Sequence, residues 1–310
     1  MKWAGRARWP SGAVSFVLAG FLVGPAAAQV VAPIALRSPA STRALGLGNA
    51  YPLASAESDA IFYNPALLST ARGIAGSVAA YGSGSRLLGV SGAMEWWNGG
   101  VGFGLRALSY GAQSLTDGAF ARGEAGLSGS GASAASEQIL SAAYARTVLG
   151  VRVGVAGKMI DYRAGAERDV TAAADIGVAR AVGPLTLGLT GRNLGRDPAL
   201  DALDTELPTE VTLGAATGTR QAGPLDLMVA ASASWHRDET WAAGGGVEVS
   251  YWPIQGRTFT GRAGYRWIED SDMQPLTVGA GFTGDRIAID WAFEDIEAGD
   301  AVHRLTIRFR

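Results

Sequence analysis

The chain has 310 residues, no cysteine and a formal net charge of −2, with 17% charged residues and 44 glycines. The missing cysteines exclude disulfides and a lipid-anchoring thiol, and the near-balance of charge argues against a nucleic-acid footprint. Few charges with many glycines suit a wall that meets lipid on one face and packs small side chains on the other.

The first residues read as an export signal. Lys2, Arg6 and Arg8 precede an apolar run from Ala13 to Val23, and Ala26-Ala27-Ala28 offers a small-residue cleavage site before Gln29. Residues 1–28 are therefore assigned to a signal peptide. Beyond them no apolar run reaches the length of a spanning helix, which excludes a helical inner-membrane protein.

Residues 29–73 show no strand alternation. Gly46 and Gly48 permit tight or left-handed backbone, Ser55 to Ala60 leaves room for one helical turn, and Pro65 pushes Asn64 out of the helical region. Such a segment cannot build a core of its own. It is expected to pack inside a barrel as a plug or hatch, with Gly46, Gly48, Asp59, Asn64 and Pro65 as its characteristic residues.

From about residue 74 the pattern has a period of two. In the last stretch Ile287, Ile289, Trp291 and Phe293 alternate with polar or small residues, and Leu305, Ile307 and Phe309 alternate with Arg304, Thr306 and Arg308. Strands are predicted at about 74–83, 85–97, 100–111, 137–147, 150–161, 170–181, 184–193, 209–218, 224–235, 241–251, 257–267, 275–284, 285–294 and 301–310. About fourteen segments of this length predict an all-β, up-and-down antiparallel transmembrane barrel over residues 74–310, in the bacterial outer membrane and bathed in its lipid. With both termini in the periplasm, the periplasmic turns fall at 98–99, 148–149, 182–183, 219–223, 252–256 and 284–285. The outward connections include the long loops 112–136 and 194–208. Trp96, Trp97, Trp235, Trp241, Tyr251, Trp252 and Trp267 sit at predicted strand ends, where aromatic belts form.

Enzyme chemistry finds little footing. His236 and His303 are the only histidines, no Gly-x-Ser-x-Gly elbow occurs, and no His/Cys pair has metal spacing. The expectation is a non-enzyme with no cofactor, no metal and no catalytic residue. The strand arginines say more. Arg106, Arg146, Arg152, Lys158, Arg180, Arg192, Arg262, Arg266, Arg304 and Arg308 are assigned mostly to the polar face, opposite Glu95, Asp161, Asp175, Glu248, Asp290 and Glu294. Arg106, Arg152, Lys158, Asp175, Arg262, Asp290 and Arg304 are taken as a lumenal charge network, touched by Asp59 and Asn64 of the plug. On this register Ile289 faces lipid near mid-membrane, so Ile289→Arg should cost on the order of 2–4 kcal/mol and Asp290→Asn much less.

Several stretches resemble a known family. Ala44-Leu45-Gly46-Leu47-Gly48-Asn49-Ala50-Tyr51 and Asp59-Ala60-Ile61-Phe62-Tyr63-Asn64-Pro65-Ala66 are similar to the start of the PorV/PorQ outer-membrane barrels, and the Asn-Pro-Ala element is shared with the wider FadL-like group. Arg192-Asn193-Leu194-Gly195, Gly246-Val247-Glu248-Val249, Arg262-Ala263-Gly264-Tyr265-Arg266-Trp267 and the last strand fit as well. The resemblance implies a fourteen-stranded barrel with a plug and a role in type IX-like secretion, binding exported proteins that carry a C-terminal signal domain. The alternative it implies is a FadL-like channel for hydrophobic small molecules such as long-chain fatty acids. A structural barrel without a ligand is the third reading. Arg310 departs from the family's aromatic ending.

Overall fold

Strands that cross lipid must satisfy every backbone N–H and C=O among themselves, which leaves closure into a barrel as the solution. The computed structural model describes residues 33–82, 84–110, 135–165, 167–200, 203–269, 275–297 and 300–309. The signal assignment, most of the 112–136 loop and Arg310 lie outside these residues.

The strands are β1 (Gly73–Tyr81), β2 (Arg86–Trp96), β3 (Gly99–Ser109), β4 (Ala135–Val148), β5 (Val151–Ala164), β6 (Glu167–Val182), β7 (Leu185–Gly195), β8 (Ala199–Leu200), β9 (Leu203–Asp204), β10 (Glu210–Thr217), β11 (Arg220–Ala222), β12 (Leu225–His236), β13 (Trp241–Ile254), β14 (Arg257–Ile268), β15 (Leu276–Thr283), β16 (Ile287–Glu297) and β17 (Asp300–Phe309). The short β8 and β9 form a separate hairpin, and β11 continues β10 against the same partner, β12. The remaining strands pair antiparallel in sequence order, and β1 pairs with β17. The result is a closed barrel of fourteen antiparallel strands.

The predicted strands coincide with the observed ones to within a few residues. The largest difference is at β5 and β6, which run on to Ala164 and from Glu167 as a long hairpin where a polar loop of about eight residues was expected. Arg168 explains part of the extension: its guanidinium grips Asp161 across the hairpin at 2.7 and 2.9 Å.

Side-chain alternation follows the register. Ile287, Ile289 and Trp291 are exposed on the outer face, while Ala288, Asp290, Ala292 and Glu294 between them are buried. Trp96, Trp97, Tyr251 and Trp252 stand at the rim of short turns, and Trp235, Trp241 and Trp267 at the opposite rim. These two girdles flank an apolar outer face, as lipid on both leaflets requires. The barrel is an integral protein of the bacterial outer membrane. Two arginines depart from the lumenal assignment. Arg146 and Arg180 are exposed on the outer face, close to the short-turn rim, where long cationic side chains can reach the headgroups.

Candidate functional site

The lumen is filled by residues 33–72. Two single-turn helices, α1 (Ile34–Arg37) and α2 (Thr42–Leu45), and two 3-10 turns at Ser58–Phe62 and Pro65–Ser69 carry it from the outer rim to the start of β1. At the outer rim, Glu137 of β4 accepts the amides of Ile34 and Ala35 at 3.0 and 2.7 Å and the Tyr110 hydroxyl. Arg37 pairs with Asp238 at 2.6 Å. Lower down, the Thr42 and Thr306 hydroxyls share a hydrogen bond of 2.5 Å.

Backbone contact between segment and wall demands glycine in places. Gly48 has φ of +68°, and a Cβ there would lie 2.2 Å from the Tyr265 carbonyl oxygen; a Cβ on Gly264 would lie 2.1 Å from the Gly48 nitrogen. Of the tight or left-handed backbone expected at both glycines, Gly46 takes the tight form, as the cap that ends α2. Its φ of −65° is ordinary helical, and its lack of a side chain serves close approach to Gly279 and Arg262.

Asn64 and Pro65 act locally. Asn64 is extended, its side chain accepts the Ala66 amide at 3.0 Å, and Pro65 opens the following 3-10 turn. The Asn64 amide group reaches the Val178 carbonyl at 3.1 Å. Its expected contact with the charge network is therefore not made: Asn64 caps a turn and holds β6 backbone. Asp59 accepts the Tyr51 hydroxyl at 2.8 Å and borders the network without pairing directly to an arginine among the described residues.

The lumenal charges form separate groups rather than one network. Among the described residues the largest is a closed ring of six alternating charges. Arg43 bonds Glu248 at 2.6 Å and Glu57 at 2.9 Å. Arg262 bonds Glu248 and Asp290, both at 2.6 Å. Arg308 closes the ring to Asp290 at 2.5 Å and Glu57 at 3.1 Å. Four members come from β13, β14, β16 and β17, and two from the inner segment. Burial works against the charge of Glu57, but Arg308 and Arg43 outweigh it and hold its carboxyl down at about 2. Asp59 nearby moves the other way, raised by burial and by the neighbouring Glu57.

A second group joins Lys158 to Asp175 at 2.7 Å and to Asn193 at 2.7 Å. Arg106 and Arg304 bond carbonyls instead of acids: Arg106 reaches Ser38 at 2.8 Å, and Arg304 reaches Pro39 and Ala40, both at 2.8 Å. Arg152 donates to the Leu53 carbonyl at 3.3 Å. Glu95 and Asp161, assigned to the lumen, instead pair near opposite rims with Arg72 and Arg168. Arg43 and Glu57 were missed because an arginine and a glutamate in a non-alternating segment carry no local sign of facing inward.

Beside the inner segment lies a cavity of about 530 Å³, within the size range of small-molecule sites. It reaches the outer rim at Asp238, Thr240 and Glu269. Register divides its β7–β10–β12 wall into tiers. Arg192, Glu210 and His236 stand abreast; two residues lower are Thr190, Thr212 and Ser234, and two lower again Gly188, Gly214 and Ser232. The next tier, Thr186, Ala216 and Ala230, is buried, with Ala216 and Ala230 packed in an apolar floor with Leu53, Ala50 and Met228. In the charged tier Arg192 pairs with Glu210 and donates to the Phe62 carbonyl at 2.5 Å, while His236 lies 3.4 Å from the other Glu210 oxygen. The rest of the lining is mixed: Leu36, Leu45 and the stacked rings of Tyr51 and Tyr63, 4.7 Å apart, stand among polar residues such as Asn49, Arg266 and Arg304.

No family model matches the chain, and no curated protein does. Solved structures match over almost the whole length. The Ralstonia pickettii toluene transporter TbuX has a TM-score of 0.53 at 11% identity, covering 88% of this chain and 98% of that one. A Pseudomonas putida toluene transporter, TodX, has a TM-score of 0.54 at 12% identity, covering 86% and 95%. A Pseudomonas aeruginosa FadL homologue gives 0.52 at 10% identity, covering 87% and 98%. The PorV/PorQ resemblance and its secretion role find no counterpart in these matches. At such identities the likeness is one of fold: the chain shares the outer-membrane barrel architecture of these proteins.

Proposed function

We propose that this protein is a passive outer-membrane channel for small hydrophobic molecules, with residues 29–73 as its plug. The cavity carries this reading: it opens at the outer rim, passes hydroxyl and glycine tiers, and ends on an apolar floor made jointly by plug and wall. A molecule lodged there sits against Leu53 and Tyr51, so onward passage to the periplasm requires the plug to shift. Three of the fold relatives support the reading, being named as toluene transporters or as a FadL homologue. This reverses the order that the PorV/PorQ motifs imply, which put exported proteins first as partners.

The test is uptake of radiolabelled toluene and of a long-chain fatty acid by intact Gram-negative cells with and without the barrel. Ser232→Trp, which fills the cavity from the wall, should abolish any barrel-dependent uptake. Equal uptake by all three strains would remove the channel reading. Co-purification of exported proteins sharing a C-terminal domain, with no effect of Ser232→Trp, would restore the secretion role.

A further inference from the structure

A channel serving only hydrocarbons would have an apolar wall, and this wall is not apolar. Thr190, Thr212 and Ser234 form a continuous hydroxyl tier across three neighbouring strands, all three lining the cavity. Thr212 and Ser234 share one hydrogen bond of 2.8 Å. That bond uses one O–H of the two, so the pair keeps a second donor and several lone pairs for a guest, and Thr190 adds another hydroxyl.

The charged groups around the tier are already engaged. Arg192 is paired with Glu210, Arg266 with Glu294 at 2.6 Å, and Arg304 with the plug carbonyls. An anionic guest would have to compete with Glu210, Glu294 or the inner-segment carbonyls for these cations, whereas an uncharged hydroxyl would not. Below the tier, beside Ser232, Gly188 and Gly214 present no side chain, Leu53 packs against both of them, and the floor is apolar.

We propose that the cavity selects uncharged apolar small molecules bearing a hydroxyl group, held with the hydroxyl at Thr190, Thr212 and Ser234 and the apolar body toward Leu53. This rests on the channel reading and names its substrate class. Discrimination follows from complementarity, because a site that offers hydrogen bonds loses them to a guest that lacks the hydroxyl.

The probes are p-cresol, toluene and p-toluate, which share a methylated ring and differ in one substituent. Each is titrated calorimetrically into the full chain in detergent, with Ser232→Trp as the filled-cavity blank. The double variant T212V/S234A keeps volume and removes two hydroxyls. It should lower the p-cresol to toluene affinity ratio about five-fold, the worth of a neutral hydrogen bond or slightly more, while toluene affinity holds. An unchanged ratio overturns the proposal, and so does p-toluate binding more tightly than p-cresol, which would assign the site to organic acids. Whole-cell uptake separates the two levels. Toluene and p-cresol both entering through the barrel, with p-cresol uptake as insensitive to T212V/S234A as toluene uptake, sinks the substrate class and leaves the channel. No binding and no uptake of any probe sinks both.

Discussion

Asp290 was expected from the strand pattern to tolerate neutralisation, since lumenal positions of barrels are generally permissive. The ion ring reverses that expectation. Asp290 is 1% exposed, accepts from Arg262 at 2.6 Å and forms an ion pair with Arg308 at 2.5 Å, so it neutralises two guanidiniums that are themselves almost fully buried. Asparagine keeps the size but turns one ring contact into donor facing donor and leaves the ring with three cations against two anions. Removing one partner of a buried pair costs about 3–5 kcal/mol, so Asp290→Asn should cost about as much. The assay is a denaturant titration of folding into lipid vesicles, run beside Arg308→Met and the double variant. Because residues in one network couple by about 0.5–3 kcal/mol, the double variant should cost clearly less than the two single losses together. A loss below about 1 kcal/mol, or strict additivity, would mean that the ring does not hold together in the membrane and would refute the reasoning.

On the outer face, Leu305 lies in the middle of β17, so Leu305→Arg should cost about 2–4 kcal/mol in the same titration. Ile289 lies only two residues into β16 from the short-turn rim, so Ile289→Arg should cost less than Leu305→Arg; the reverse order would contradict the assigned depth. Gly264→Val drives a side chain into the plug backbone at Leu47 and Gly48, and should expose the plug to added protease. Gly157→Val, with open space around its Cβ, should not. Glu57 has its folded carboxyl lowered from 4.5 to about 2. Its contribution to stability is thus fully present above the unfolded value and is lost as pH falls through the folded one. Acid titration of the wild type should show a loss between about pH 4.5 and 2 that Glu57→Gln lacks; equal acid profiles would exclude the Arg308 and Arg43 contacts.

The wall was legible in the chain before folding. Alternation with a period of two is a property of each strand's own backbone, so Ile289 outside and Asp290 inside could be read one strand at a time. The turns expected at 98–99, 148–149 and 182–183 fall within a residue of the observed 97–98, 149–150 and 183–184 for the same reason, since they rest on adjacent residues. The long β5–β6 hairpin was less so, because its extension depends on Arg168 meeting Asp161 across strands. The lumen was not legible there, because its contacts join residues far apart in the chain. Arg43, Glu57, Glu248, Arg262, Asp290 and Arg308 have no common spacing along the chain; closure of β1 on β17 brings the last strands around a segment that precedes the first. The hydroxyl tier is likewise a matter of register: Thr190, Thr212 and Ser234 become neighbours because β7, β10 and β12 pair with those residues abreast. Local periodicity says which way a side chain points, and only the closed barrel says what it meets there.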